Sequence, residues 1–142
     1  MFDYAITSVS GWLMLVVLSA IIVYPFALRA GLLGAVQPFL PRMRLHAWLG
    51  YSLAIIMLIH IWFSMSGETA LVVNALGLYL ASVAMLLVGA QLWLGRRLRW
   101  PTLARRKQMR RWHFWLMVGI VVFILAHVAL DSMQLHALLL AI

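Results

Sequence analysis

The sequence predicts an all-α membrane protein built as a bundle of four transmembrane helices in one domain, residues 1–142. Three observations carry that expectation. The chain is 66% hydrophobic with a mean hydropathy of +1.04, whereas soluble domains are usually about 45–50% apolar. Four apolar stretches approach or exceed the length of about 20 residues that a bilayer core requires. All eleven Lys and Arg fall on one side of those stretches, and the three acids, Asp3, Glu68 and Asp131, fall on the other.

The first span is expected at about Gly11 to Leu28, with Pro25 kinking or ending it. A loop from Arg29 to Met43 follows, broken by Gly31, Gly34, Pro38 and Pro41. The second span is placed at about Arg44 to Met65, ending at Ser66-Gly67. The third is placed at about Thr69 to Leu94, stopped by Gly95, and a basic loop from Arg96 to Lys107 contains Pro101. The fourth is placed at about Arg110 to Asp131. The tail from Ser132 to Ile142 is too short to cross and is expected at the interface or on a partner.

The basic side comprises Arg29, Arg42, Arg44, Arg96, Arg97, Arg99, Arg105, Arg106, Lys107, Arg110 and Arg111. By the positive-inside rule both long loops are cytoplasmic, and both termini and the Ser66–Glu68 turn lie outside the cytoplasm. Topology and anionic lipid headgroups then account for the net charge of +8, so nucleic-acid binding is a poor reading. Trp12, Trp62, Trp93, Trp100 and Trp112 sit near the expected span ends, as an aromatic belt would. The N-terminal MFDYAITSVSGW has an acidic residue and no basic region, unlike a cleaved signal peptide. The chain has no cysteine, which excludes disulfides, Fe–S clusters, thiolate zinc sites and covalent haem attachment.

The chemistry concentrates in four histidines. His46 and His60 lie fourteen residues apart on the second span, and His113 and His127 lie fourteen apart on the fourth. Fourteen residues are nearly four helical turns, so each pair returns to one face within about 40° and is separated by roughly 21 Å. Spans two and four run parallel. His46 and His113 therefore share the basic end, and His60 and His127 the other. Haem iron accepts two axial imidazoles, so two such layers hold two bis-histidine b-type haems between helices two and four. An offset of 67 residues aligns Arg44, His46, Trp48, Leu49, Leu58 and His60 with Arg111, His113, Trp115, Leu116, Leu125 and His127.

Further residues are assigned around those haems. Gly50, one turn from His46, makes room for a macrocycle, while Met117 occupies the equivalent place in span four. Leu53 and Met57 on one helix, and Ile120 and Ile124 on the other, form apolar inner faces. Arg44, Arg110 and Arg111 are candidate propionate partners at the basic layer, since Arg binds carboxylates bidentately. The outer layer has no basic residue; Trp62, Thr69, Asn74, His136, water or a partner protein must serve there. Asp131, one turn past His127, either bonds near the outer haem or caps the outer surface. Zinc is a weaker alternative, because it takes three or four N, S or O ligands. The nine methionines suit core filling better than copper binding. A histidine within a span can also be a plain interhelical hydrogen-bond donor, although intramembrane ionisable groups are functional by default.

RLHAWLGYSLAIIMLIHIW resembles the first haem-binding helix of the ferric reductase-like transmembrane domain family, and RRWHFWLMVGIVVFILAHVAL resembles its second. The resemblance covers about Arg42 to Asp131. It implies that His46 and His113 ligate an inner haem b, and His60 and His127 an outer one. The family commonly has about six spans, and its enzymatic members carry a cytoplasmic flavin and nicotinamide domain; four spans stand here. The expected function is electron transfer across a bacterial inner membrane, from a cytoplasmic flavoprotein or the quinone pool to a periplasmic acceptor or redox subunit. One alternative is a stand-alone oxidoreductase acting on quinone, superoxide or ferric iron. The other is a structural or assembly subunit without haem.

Overall fold

A computed structural model describes residues 2–33, 39–66, 74–100 and 104–131, with side chains from 5, 43, 74 and 104 onward in the respective segments. Among these residues the chain forms four α-helices: α1 Phe2–Arg29, α2 Phe39–Ser64, α3 Ala75–Arg97 and α4 Arg106–Asp131. Each contains a stretch long and apolar enough to cross a membrane: Ala5–Arg29, Met43–Ser64, Ala75–Arg97 and Arg106–Asp131. The helical faces carry exposed large apolar side chains, such as Val16, Leu58, Leu86 and Val122. In water such surfaces would drive association; in hydrocarbon they are the expected exterior. The chain is a multi-pass membrane protein. Glu68, Thr69, Pro101, His136 and the tail lie outside the described residues.

The helices form two compact units, Met1–Ala70 and Leu71–Ile142. In the first, α1 packs on α2; in the second, α3 packs on α4. Each is an antiparallel helical hairpin. In the first, Leu18 and Ser10 of α1 and Leu53 of α2 are buried. In the second, the buried set is Gly77, Ala84, Val88 and Leu94 of α3 and Ile120 of α4. Small residues let the second pair approach closely, as membrane helices do when lipid offers no hydrophobic gradient. An added Cβ on Gly119 would already stand 3.4 Å from Leu87 Cδ1.

Several boundaries differ from expectation, each for a local reason. Helix α1 begins at Phe2 and passes through Pro25 to Arg29, so Trp12 sits well inside it. The terminator is Gly31, with φ +73°. Leu32 N–H donates to Ala27 O (3.1 Å) and Gly31 N–H to Leu28 O (3.3 Å), the paired bonds of a Schellman cap whose left-handed residue favours glycine. Pro41 breaks nothing: it stands in the first turn of α2, which starts at Phe39, where its missing N–H has no helical acceptor to lose.

Helix α3 begins at Ala75. Asn74 caps it, its side-chain oxygen accepting from Leu76 N–H at 2.9 Å. The expected stretch from Thr69 to Val73 lies outside the described residues. Gly95 does not stop α3, which runs to Arg97. Helix α4 starts one turn before Arg110, at Arg106. Arg106 Nη2 donates to Leu98 O at 3.3 Å, satisfying a carbonyl at the end of α3. The Arg97 guanidinium lies 5.1 Å from the Trp93 ring centroid, a cation–π contact at the basic end of the hairpin.

Candidate functional site

In each hairpin the two histidines face the preceding helix at two levels. His46 of α2 reaches the carbonyl of Ile21 on α1, with Nδ1 to O 3.1 Å. His60 reaches the carbonyl of Thr7, with Nδ1 to O 3.0 Å. The accepting residues are themselves fourteen apart, the same interval as the histidines. Two antiparallel helices of equal rise keep such a register at both levels.

A carbonyl oxygen only accepts, so the ring nitrogen facing it carries the hydrogen. His46 and His60 are therefore held as Nδ1–H tautomers, with the lone pair at Nε2. That is how a metal-ligating histidine is commonly oriented: one nitrogen donates to a carbonyl or carboxylate and the other bears the ligating pair.

The Ile21 carbonyl is available for a sequence reason. In an α-helix it would accept from the N–H of residue 25, and residue 25 is proline, which has none. Pro25 thus frees one acceptor, and His46 takes it. Membrane helices tolerate proline where neighbours satisfy the released backbone group. The sequence shows Pro25 and His46 separately; nothing in it joins them.

The His60 level is more polar. Ser10, 6% exposed, is the one buried polar residue among those described. Its Oγ donates to Ile6 O at 2.6 Å and stands 3.1 Å from His60 Nδ1, so toward the ring it is an acceptor. Gly11 lines the ring: an added Cβ would meet His60 Cε1 at 3.2 Å. The Thr7 hydroxyl, buried beside this carbonyl, has no hydrogen-bond partner among the described residues. Sequence reasoning missed Thr7, Ser10 and Gly11, because small and hydroxyl residues on an apolar span carry no distinctive signal.

The second hairpin repeats the scheme with different chemistry. His127 Nδ1 lies 3.1 Å from Gly77 O, and Asp131 Oδ2 stands beside the same nitrogen at 3.0 Å. The other carboxylate oxygen accepts from Asn74 N–H at 3.2 Å. Asp131 therefore bonds to the start of α3 through one oxygen, while the other is buried beside the His127 ring without a hydrogen bond of its own among the described residues. Gly77 is required for this closeness, since a Cβ there would overlap the carboxylate. Asn74, expected as a possible propionate partner, caps α3 with its side-chain oxygen. At the other level His113 lies against Gly95, where an added Cβ would come within 3.4 Å of its Cε1. Gln91 Nε2 donates to the His113 carbonyl at 3.0 Å.

Among the remaining expected residues, Arg44, Arg110 and Arg111 are exposed, and Gly50 is half-buried one turn beyond His46 on α2. Leu53 and Ile120 are buried within their own hairpins. Among the described residues no three His, Asp or Glu side chains gather as a metal site would need. Helices α2 and α4 each present one imidazole at each level of their own hairpin. No protein-family model matches the chain, nor does any curated protein or solved structure.

Proposed function

We propose that the protein carries electrons across a bacterial inner membrane through two bis-histidine b-type haems. His46 with His113 would ligate one haem and His60 with His127 the other, a pairing read from the 67-residue repeat and the charge pattern. The proposal keeps the ferric reductase-like resemblance as its frame. It has the protein acting within a larger redox system, between a cytoplasmic flavoprotein or the quinone pool and a periplasmic acceptor. Bound haem supplies reversible one-electron chemistry.

The chain's own contribution is to orient and to exclude water. One observation carries the reading: Nδ1 of His46, His60 and His127 stands 3.0–3.1 Å from a main-chain carbonyl of the preceding helix. That contact leaves the ligating pair on Nε2 and fixes the ring plane. Apolar spans around it keep water away. Arg44, Arg110 and Arg111 are the groups offered to propionates at the basic end. The Thr7 hydroxyl is a donor offered at the other end, where the described residues include no Lys or Arg.

Absorption spectra of the purified full-length chain test the proposal. The expected result is a reducible bis-histidine b-haem signal. His60→Ala or His127→Ala should lose one haem and keep the other. A folded chain with no haem signal refutes the proposal. Loss of both haems in a folded single variant refutes the two-level assignment.

The same carbonyl contacts favour a second reading, in which the histidines only brace each hairpin. An interhelical hydrogen bond in a membrane contributes about 0.6 kcal/mol on average and at most about 1.7. Bracing alone explains the ring–carbonyl contacts but not the fourteen-residue interval repeated on two helices. A haem-free chain as purified favours this reading.

A further inference from the structure

The four histidine environments are not equivalent, and the difference is electrostatic. His46 faces a neutral carbonyl, and His60 a carbonyl and a serine hydroxyl. His127 faces a carbonyl and also a carboxylate, Asp131 Oδ2, 3.0 Å from Nδ1. The two side chains are only 24% and 15% exposed, so solvent screens the contact weakly. The carboxylate is held in place: its second oxygen accepts from Asn74 N–H, and the missing side chain of Gly77 makes the room. No Lys or Arg lies at this end of the described hairpin. At its other end Arg96, Arg97, Arg99, Arg105, Arg106, Lys107, Arg110 and Arg111 surround the α3–α4 connection.

We infer that Asp131 is a positioning residue that makes the two haem sites electrochemically unequal. This rests on the reading of His127 as a haem ligand. A negative charge beside Nδ1–H draws the proton and leaves Nε2 a stronger donor, and outer partners of this kind are known to tune ligand basicity. A stronger donor favours the ferric over the ferrous form. The carboxylate's own charge acts in the same direction. The haem on His127 therefore has the lower midpoint potential. The haem on His113, at the end of the hairpin rich in arginine, has the higher.

The test is a potentiometric titration of the full-length haem-loaded chain, followed optically, with the low-spin ferric electron paramagnetic resonance signal recorded alongside. Wild type should show two resolved potentials. Asp131→Asn should raise the lower one and leave the upper in place. A tenfold loss of preference for ferric haem reads as a shift of about 59 mV for one electron. The ferric signal of that haem alone should change. Asp131→Glu, which keeps the charge, should move the lower potential back toward wild type. A titration of Asp131→Asn that superimposes on wild type, or one in which both potentials move equally, overturns the inference while haem binding stands. A wild-type chain that binds no haem defeats the functional reading itself, and the inference falls with it.

Discussion

The link between Pro25 and His46 yields a prediction that does not depend on any bound group. His46→Leu removes the donor that satisfies Ile21 O, and Pro25 cannot replace it because it has no N–H. Losing such an interhelical hydrogen bond within a membrane costs about 0.6 kcal/mol on average and up to about 1.7 kcal/mol. In a Pro25→Ala background the new N–H returns to Ile21 O. There the same His46→Leu change should cost less by about that amount. Other contacts of the His46 ring are lost equally in both backgrounds and cancel. The double-mutant cycle should therefore show a coupling of about 0.6–1.7 kcal/mol, above the roughly 0.3–0.5 kcal/mol scatter of independent sites. The assay is unfolding of the haem-free full-length chain in mixed micelles, followed by tryptophan fluorescence. Equal costs of His46→Leu in the two backgrounds would refute the idea that the proline frees a carbonyl for the histidine.

Two further predictions concern glycines against side chains. Gly77→Ala should destabilise the second hairpin, because the new Cβ displaces the Asp131 carboxylate from Asn74 N–H and from the His127 ring. In an Asp131→Ala background the same change should become neutral or stabilising by up to about 1 kcal/mol, as helix propensity alone dictates; the sign in thermal unfolding decides. Gly11→Val should push the His60 ring off Thr7 O and Ser10, costing about 1–3 kcal/mol as overpacking does. Gly89→Ala, where an added Cβ meets no heavy atom within 4 Å, serves as its control and should cost nothing.

Much of the architecture was legible because membrane helices obey coarse rules. Length and hydropathy locate four spans, and no side-chain detail is needed for that. Boundaries were less legible. Pro25, Pro41 and Gly95 look like breakers in a one-dimensional reading. Pro25 is tolerated because another helix uses the carbonyl it releases. Pro41 is tolerated because a first turn needs no N–H there. Gly95 stays within α3 and lies against the His113 ring, where an added Cβ would come to ordinary contact distance. The reason for Pro25 lies in a neighbouring helix that sequence order does not reveal. The histidines themselves were legible from their interval. Their partners Thr7, Ser10, Ile21 and Gly77 were not, since three of the four meet the ring through a main-chain carbonyl and any residue has one.

The sequence by itself determined that this is a four-span membrane chain with its basic residues gathered at two connections, and that His46, His60, His113 and His127 recur at one interval on two helices. Hydropathy and helical periodicity are local properties, and they require only the order of residues. The tertiary structure alone decided which helix each histidine faces, which main-chain carbonyls stand against Nδ1 of His46, His60 and His127, and that Asp131 stands against His127 and not against solvent. Those outcomes depend on which main-chain groups α1 and α3 present to α2 and α4. Hydrogen-bond geometry across a hairpin is set by register and close approach, and neither is written in any one helix.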